Sequence, residues 1–207
     1  MKSKNHTLFG ESAKPDKEHI VQLFYNTIDK AARVTCYAST NYPNLASDIG
    51  VRIDELARDD LIIFAISTRR LIEAASFVDR ARNISLTLLE PAAKEQRIRF
   101  ARIGTTTLSR ILNLLIHSKT LETFRSETQF RIFAGIPESM EDTILRVTSG
   151  KLDSYPPIVL VVSDKGKAKY FSLAELIEIF ERCLSEIVDH CAEHNIYLGA
   201  EWDFEDR

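Results

Sequence analysis

Apolar residues recur at three- and four-residue spacing through Val21, Phe24, Tyr25, Ile28, Ala32 and Cys36, the period of one helix face. A first helix is therefore expected from about Pro15 to Ala38, capped by Asp16 and broken by Asn41-Tyr42-Pro43-Asn44. From about Arg52 to Asn83 neither glycine nor proline interrupts the chain, and apolar residues persist, so a second long helix is expected. Between Leu61 and Ile66 it is apolar on every side, as at the centre of a helical bundle. Arg58, Asp59 and Asp60 before this run and Arg69-Arg70 after it read as solvated ends. The period then changes. Arg97-Ile98-Arg99-Phe100-Ala101-Arg102-Ile103 alternates polar with apolar, the pattern of a half-buried strand. A helix from Thr106 to Lys119 follows, with the triplet Thr105-Thr106-Thr107 supplying N-cap hydroxyls. Short strands are expected at Gln129–Ala134, Thr143–Thr148, Ile158–Ser163 and Ala168–Phe171. Turns at Gly135-Ile136-Pro137, Ser149-Gly150 and Asp164-Lys165-Gly166 separate them, Gly166 supplying a positive φ. Ser172 caps a last helix, Leu173 to about Glu193, with a wide apolar stripe.

These elements give an α+β chain within a single domain, residues 1–207. An N-terminal helical bundle, about 15–120, precedes a small antiparallel β-meander and a C-terminal helix, about 121–207. With 44% hydrophobic and 28% charged residues the chain is ordinary for a globular protein. A formal net charge of −3 excludes a general basic field, so any polyanion site must be a local patch. The densest patch is Lys94, Arg97, Arg99 and, allowing for twist or a bulge, Arg102. It reads as an RNA-phosphate-contacting ribbon or as an edge strand kept from aggregating by its charges. Three cysteines and no apolar run after the first six residues point to reduced thiols and a cytoplasmic protein. Cys36 and Cys183 fall on apolar stripes, as small core residues do. The apolar runs Leu61–Ile66 and Ile158–Val162 are far too short for a membrane span, so no membrane association is expected.

The candidate chemistry centres on Arg110 and His117. Seven positions apart at about 100° per residue, they fall on one line of the predicted helix, with Thr106 and Asn113 close to that line. An arginine followed by six residues and a histidine resembles the motif of the HEPN family of small helical ribonucleases and toxins. The resemblance implies a homodimer that cuts RNA at a groove between subunits, without a metal or other cofactor. By the same resemblance His117 moves protons while Arg110 holds the charge developing on phosphate, with Asn113 and Thr106 assisting. It also implies a toxin or defence component. The family places Asn, Asp or His directly after the arginine, whereas this chain has Ile111. The competing expectation is a non-enzymatic module that binds another protein through its helical face and its aromatic-acidic ending, Glu201 to Arg207. On the last helix Glu186, His190 and His194 share a face, near Asp189 and Glu193. The favoured reading there is a solvated polar face, with divalent-metal binding as the other.

Overall fold

Asp16 Oδ1 accepts the backbone N–H of Glu18 at 3.1 Å, and helix α1 (Lys17–Ser39) follows. The computed structural model describes residues 16–39, 48–94, 97–125, 127–136, 157–164 and 166–198, without the side chains of 48–51, 93, 94, 97 and 128. The expected break at Asn41–Asn44, the strand Thr143–Thr148, the turn at Ser149-Gly150 and the ending Glu201–Arg207 lie outside the described residues.

Helix α2 (Asp48–Ala74) stops well short of Asn83. The stop needs neither glycine nor proline. Ser76 takes a left-handed φ of 56°, its N–H donates to Glu73 O (3.1 Å), and the Phe77 N–H donates to Ile72 O (2.9 Å). Those two bonds are a Schellman cap, with buried Phe77 and Ile72 as its apolar contact. A one-turn helix α3 (Val78–Ala81) follows, and then a strand that helical reading of the sequence passed over, β1 (Ser85–Lys94). It pairs antiparallel with β2 (Arg97–Thr107), longer than the alternating stretch predicts.

Thr107 ends β2 and begins α4 (Leu108–Ile116), its hydroxyl accepting the Arg110 N–H at 3.3 Å. Thr105 and Thr106 are therefore strand residues, and Ser118-Lys119 already belong to β3 (Ser118–Phe124). Gln129–Ala134, expected as a strand, is the bulk of helix α5 (Glu127–Ala134), closed by Gly135 at φ 63°. Strand β4 (Ile158–Ser163), strand β5 (Lys169–Ser172) and helix α6 (Leu173–Glu193), with Ser172 as its cap, match expectation closely. At the expected turn, a Cβ on Gly166 would meet Ser163 Oγ at 2.7 Å.

The fold is α+β: N-terminal helices, strands through the middle and a C-terminal helix. The five strands among the described residues join one antiparallel sheet in the order β2-β1-β5-β4-β3. Strand alternation gives the sheet two apolar faces. One, with Leu86, Leu121, Val159, Val161 and Phe171, packs under α1, α2, α4 and α6 in the main core. Phe64 of α2 meets Phe180 of α6 edge-on there, ring centres 4.9 Å apart. The other face, with Ile98, Phe100, Leu160 and Tyr170, is covered by Phe130 of α5. Within α2, Leu61, Phe64 and Ala65 are buried, but Ile63 is 43% exposed, so this helix lines the core instead of running through its centre.

Candidate nucleic-acid interface

Helix α4 buries Leu108, Ile111, Leu112 and Leu115 and turns Arg110 and Asn113 outward. Its short amphipathic sequence thus fixes which side meets water. His117 is the exposed C-cap at φ −110°, its backbone N–H donating to Asn113 O at 3.1 Å. Seven residues correspond to about 10 Å along a helix axis, and helical side chains tilt toward the N-terminus, so Arg110 leans away from His117. Both face solvent from one side of α4, but one chain does not focus them on a single phosphate.

Thr106 is not on that stripe. It pairs with Leu86 on the core side of the β1–β2 ladder and is only 8% exposed, its hydroxyl without a hydrogen-bond partner among the described residues. Asn113 is engaged: its Oδ1 accepts a 2.8 Å bond from Arg69 Nη1, and Arg69 Nε in turn binds Glu73 at 2.8 Å.

The ribbon arginines separate. A bulge leaves Ile103 unpaired between Arg102, opposite Leu89, and Gly104, opposite Leu88. It lies beyond Arg102, so it does not bring that residue round to Arg99. Arg102 shares a face with Ile98 and Phe100, on the α5 side, and Arg99 points to the face that carries α4. Lys94 and Arg97 oppose each other in the ladder, and their side chains are outside the described ones.

A cation that the sequence did not single out stands beside Arg110. Lys169 opens β5 on the same sheet face as buried Phe171, the face on which α4 packs. Partial burial, and then the positive charge of Arg110, hold its ammonium below the usual lysine range. Nearby Lys119 is neutralised by Asp164 at 3.0 Å. Among the described residues neither Arg110 nor Lys169 forms an ion pair. The packing of α4 on the sheet face that carries β5 brings this pair together, and no local motif announces it.

Two further polar clusters lie elsewhere. Arg58 Nη1 reaches both carboxylate oxygens of Glu122 at 2.9 Å, and Tyr37 donates to Asp60 at 3.0 Å. Gln129 Nε2 donates to Asp54 at 3.3 Å, while Arg125 lies 3.7 Å from the same carboxylate. Of the charges expected at solvated ends, Arg58 and Asp60 instead fasten α2 to β3 and α1, and Asp54 ties it to α5, whereas Asp59, Arg69 and Arg70 are exposed as expected. Burial outweighs the nearby Arg125 and Arg58 charges and raises the Asp54 carboxyl above its ordinary 3.8.

On α6, His190, Glu193 and His194 converge, and Glu186 is not part of the group. Cys183 and Cys191 are buried, whereas Cys36 is exposed, against its expected place in the core. Burial first, and then the Glu186 charge, push the Cys183 thiol up to about 12, so it is no nucleophile. No helix among the described residues is long and apolar enough to cross a membrane. No family model, curated protein or solved structure matches this chain.

Proposed function

We propose that this protein binds the phosphate backbone of single-stranded RNA across the exposed side of α4, through Arg110 and Lys169, with His117 and Arg99 at its flanks. The observation that carries this reading is the Arg110–Lys169 pair, in which the Lys169 ammonium is held down by partial burial and then by the Arg110 charge, with no carboxylate partner for either among the described residues. An anion relieves that repulsion, and an arginine grips phosphate oxygens well. The local pair also answers the chain's net negative charge, which offers no general attraction to a polyanion.

Fluorescence anisotropy with a short labelled RNA, followed over a range of salt concentrations, tests the reading. Each lost phosphate contact lowers the log–log salt slope by about 0.7 for a single strand, so Arg110→Ala and Lys169→Ala should each weaken binding and flatten the slope by roughly that amount. Wild-type binding that neither substitution changes would overturn it.

A metal-independent homodimeric endoribonuclease is the second reading, favoured by the exposure of Arg110 and His117 on one side of α4 and by their resemblance to the HEPN motif. Because one chain separates the two groups by about 10 Å, catalysis requires His117 of one copy to meet Arg110 of another. RNA cleavage in the presence of a chelator, abolished by His117→Ala, is the expected result of this reading; binding without cleavage leaves the first reading alone.

A further inference from the structure

The C-terminal turn of α6 carries a histidine-rich cluster unrelated to the α4 surface. One ligand atom from each of His190, Glu193 and His194 lies within 4.8 Å of the others. The two imidazoles are four residues apart, one helical turn, and their ring centres are 4.6 Å apart. Glu193 Oε2 stands 3.9 Å from His190 Nδ1.

The hydrogen bonds decide what each ring offers. His194 Nδ1 is 2.8 Å from the backbone oxygen of His190. A carbonyl only accepts, so that nitrogen carries the proton and Nε2 keeps the lone pair. A histidine whose second ring nitrogen donates to a backbone carbonyl is the usual arrangement of a metal ligand. His190 Nδ1 is buried and makes no hydrogen bond, while Phe77, ring centre 5.7 Å away, packs against its ring. An orphaned nitrogen of this kind carries a desolvation penalty that a coordinated cation removes. The position adds to the effect, since the carbonyl end of a helix attracts positive charge.

We infer that His190, Glu193 and His194 form a binding site for a divalent transition ion of the zinc class. Two imidazoles and a carboxylate suit zinc and its neighbours better than magnesium or calcium, which take oxygen ligands. A tetrahedral ion about 2.1 Å from each donor sets the donors roughly 3.4 Å apart, so the cluster closes by at most about 1.4 Å, within reach of side-chain rotation. Three protein ligands leave one position to water. Arg80 competes: its Nη2 lies 3.5 Å from the same Glu193 Oε2 that faces His190. The ion therefore displaces this guanidinium, and Arg80 tunes the affinity.

Zinc chloride alone, titrated into the full chain by calorimetry, with cobalt(II) absorption reporting coordination, tests the site. One ion per chain is expected, with cobalt giving the intense bands of tetrahedral coordination. His194→Ala removes a ligand at an exposed residue and should weaken binding by at least the roughly 10- to 100-fold that losing an outer-shell partner costs. Glu193→Gln should weaken it by roughly 10-fold, and Arg80→Gln should tighten it severalfold by releasing the carboxylate oxygen. His190→Ala serves as a further ligand deletion where circular dichroism shows an intact fold. Binding by His194→Ala equal to wild type, a cobalt spectrum matching the aqueous ion, or substoichiometric uptake would each overturn the site.

Discussion

Burial alone makes the Asp54 carboxylate a burden on the folded chain, since Arg125 and Arg58 attract it and yet its proton affinity is still raised. The folded protein therefore holds this proton at pH values where the unfolded chain has released it. The contribution of Asp54 to stability is complete below 3.8 and is lost as pH rises through the higher folded value. Asp54→Asn preserves the shape and an acceptor for Gln129 while removing the charge. Its melting temperature relative to wild type should climb as pH rises from below 3.8 toward neutrality; a constant or falling difference would show that the ion pair with Arg125 outweighs burial. Some of the α4 residues could be read from the chain: the outward positions of Arg110, Asn113 and His117 follow from helical period. Thr106 is misplaced because a two-residue shift in where α4 begins converts a helix-surface hydroxyl into a strand residue facing the core. Lys169 is illegible, because its nearness to Arg110 arises only when α4 packs on the sheet.

At the scale of elements, three helices end alike. Ser76 after α2, Gly135 after α5 and Asn195 after α6 all take left-handed φ, and Phe77, Ile136 and Ile196 each return an N–H to a carbonyl five residues back. Only glycine adopts that conformation without steric cost. Ser76→Gly should accordingly stabilise the protein by about 0.5–1 kcal/mol in urea unfolding, and a loss of stability there would show that the serine side chain matters more than its backbone. The same position explains why α2 was read too long: a serine gives no warning that it will serve as a left-handed stop. Strand β1 was hidden by Pro91, a residue that argues against an inner strand. Pro91 pairs with Phe100 of β2 and lies two residues beyond Leu89, where β1 meets Tyr170 of β5. Helix α5 was misread because eight residues with Phe130, Ile132 and Phe133 fit a strand as readily as a helix. By contrast β4 and α6 were plain, one a continuous β-branched run and the other a serine cap followed by an unbroken stripe.

For the molecule as a whole, the strand order explains why the sequence underrated the middle of the chain. The ribbon of β1 and β2 is no appendage to a helical bundle but one end of a sheet that β3 and β4 finish at the other. Strand β5 joins the two parts, bonding to β1 on one side and β4 on the other. Glu175 of α6 strengthens the join, its Oε1 accepting the Thr87 N–H of β1 at 2.9 Å. The proposed phosphate surface depends on this arrangement, since α4 follows the β1–β2 ribbon directly and Lys169 opens β5 far along the chain. During synthesis, the β1–β2 hairpin leaves the ribosome long before its partner strand. At roughly 5–20 residues per second the Tyr170 that meets Leu89 follows on the order of ten seconds later. Over that interval an unpaired strand edge and the apolar side chains of Leu86 and Leu88 face water, open to holdase chaperones and to other nascent copies. Chains halted before Lys169 should consequently bind a trap chaperone or sediment as aggregates, and those released after α6 is made should not.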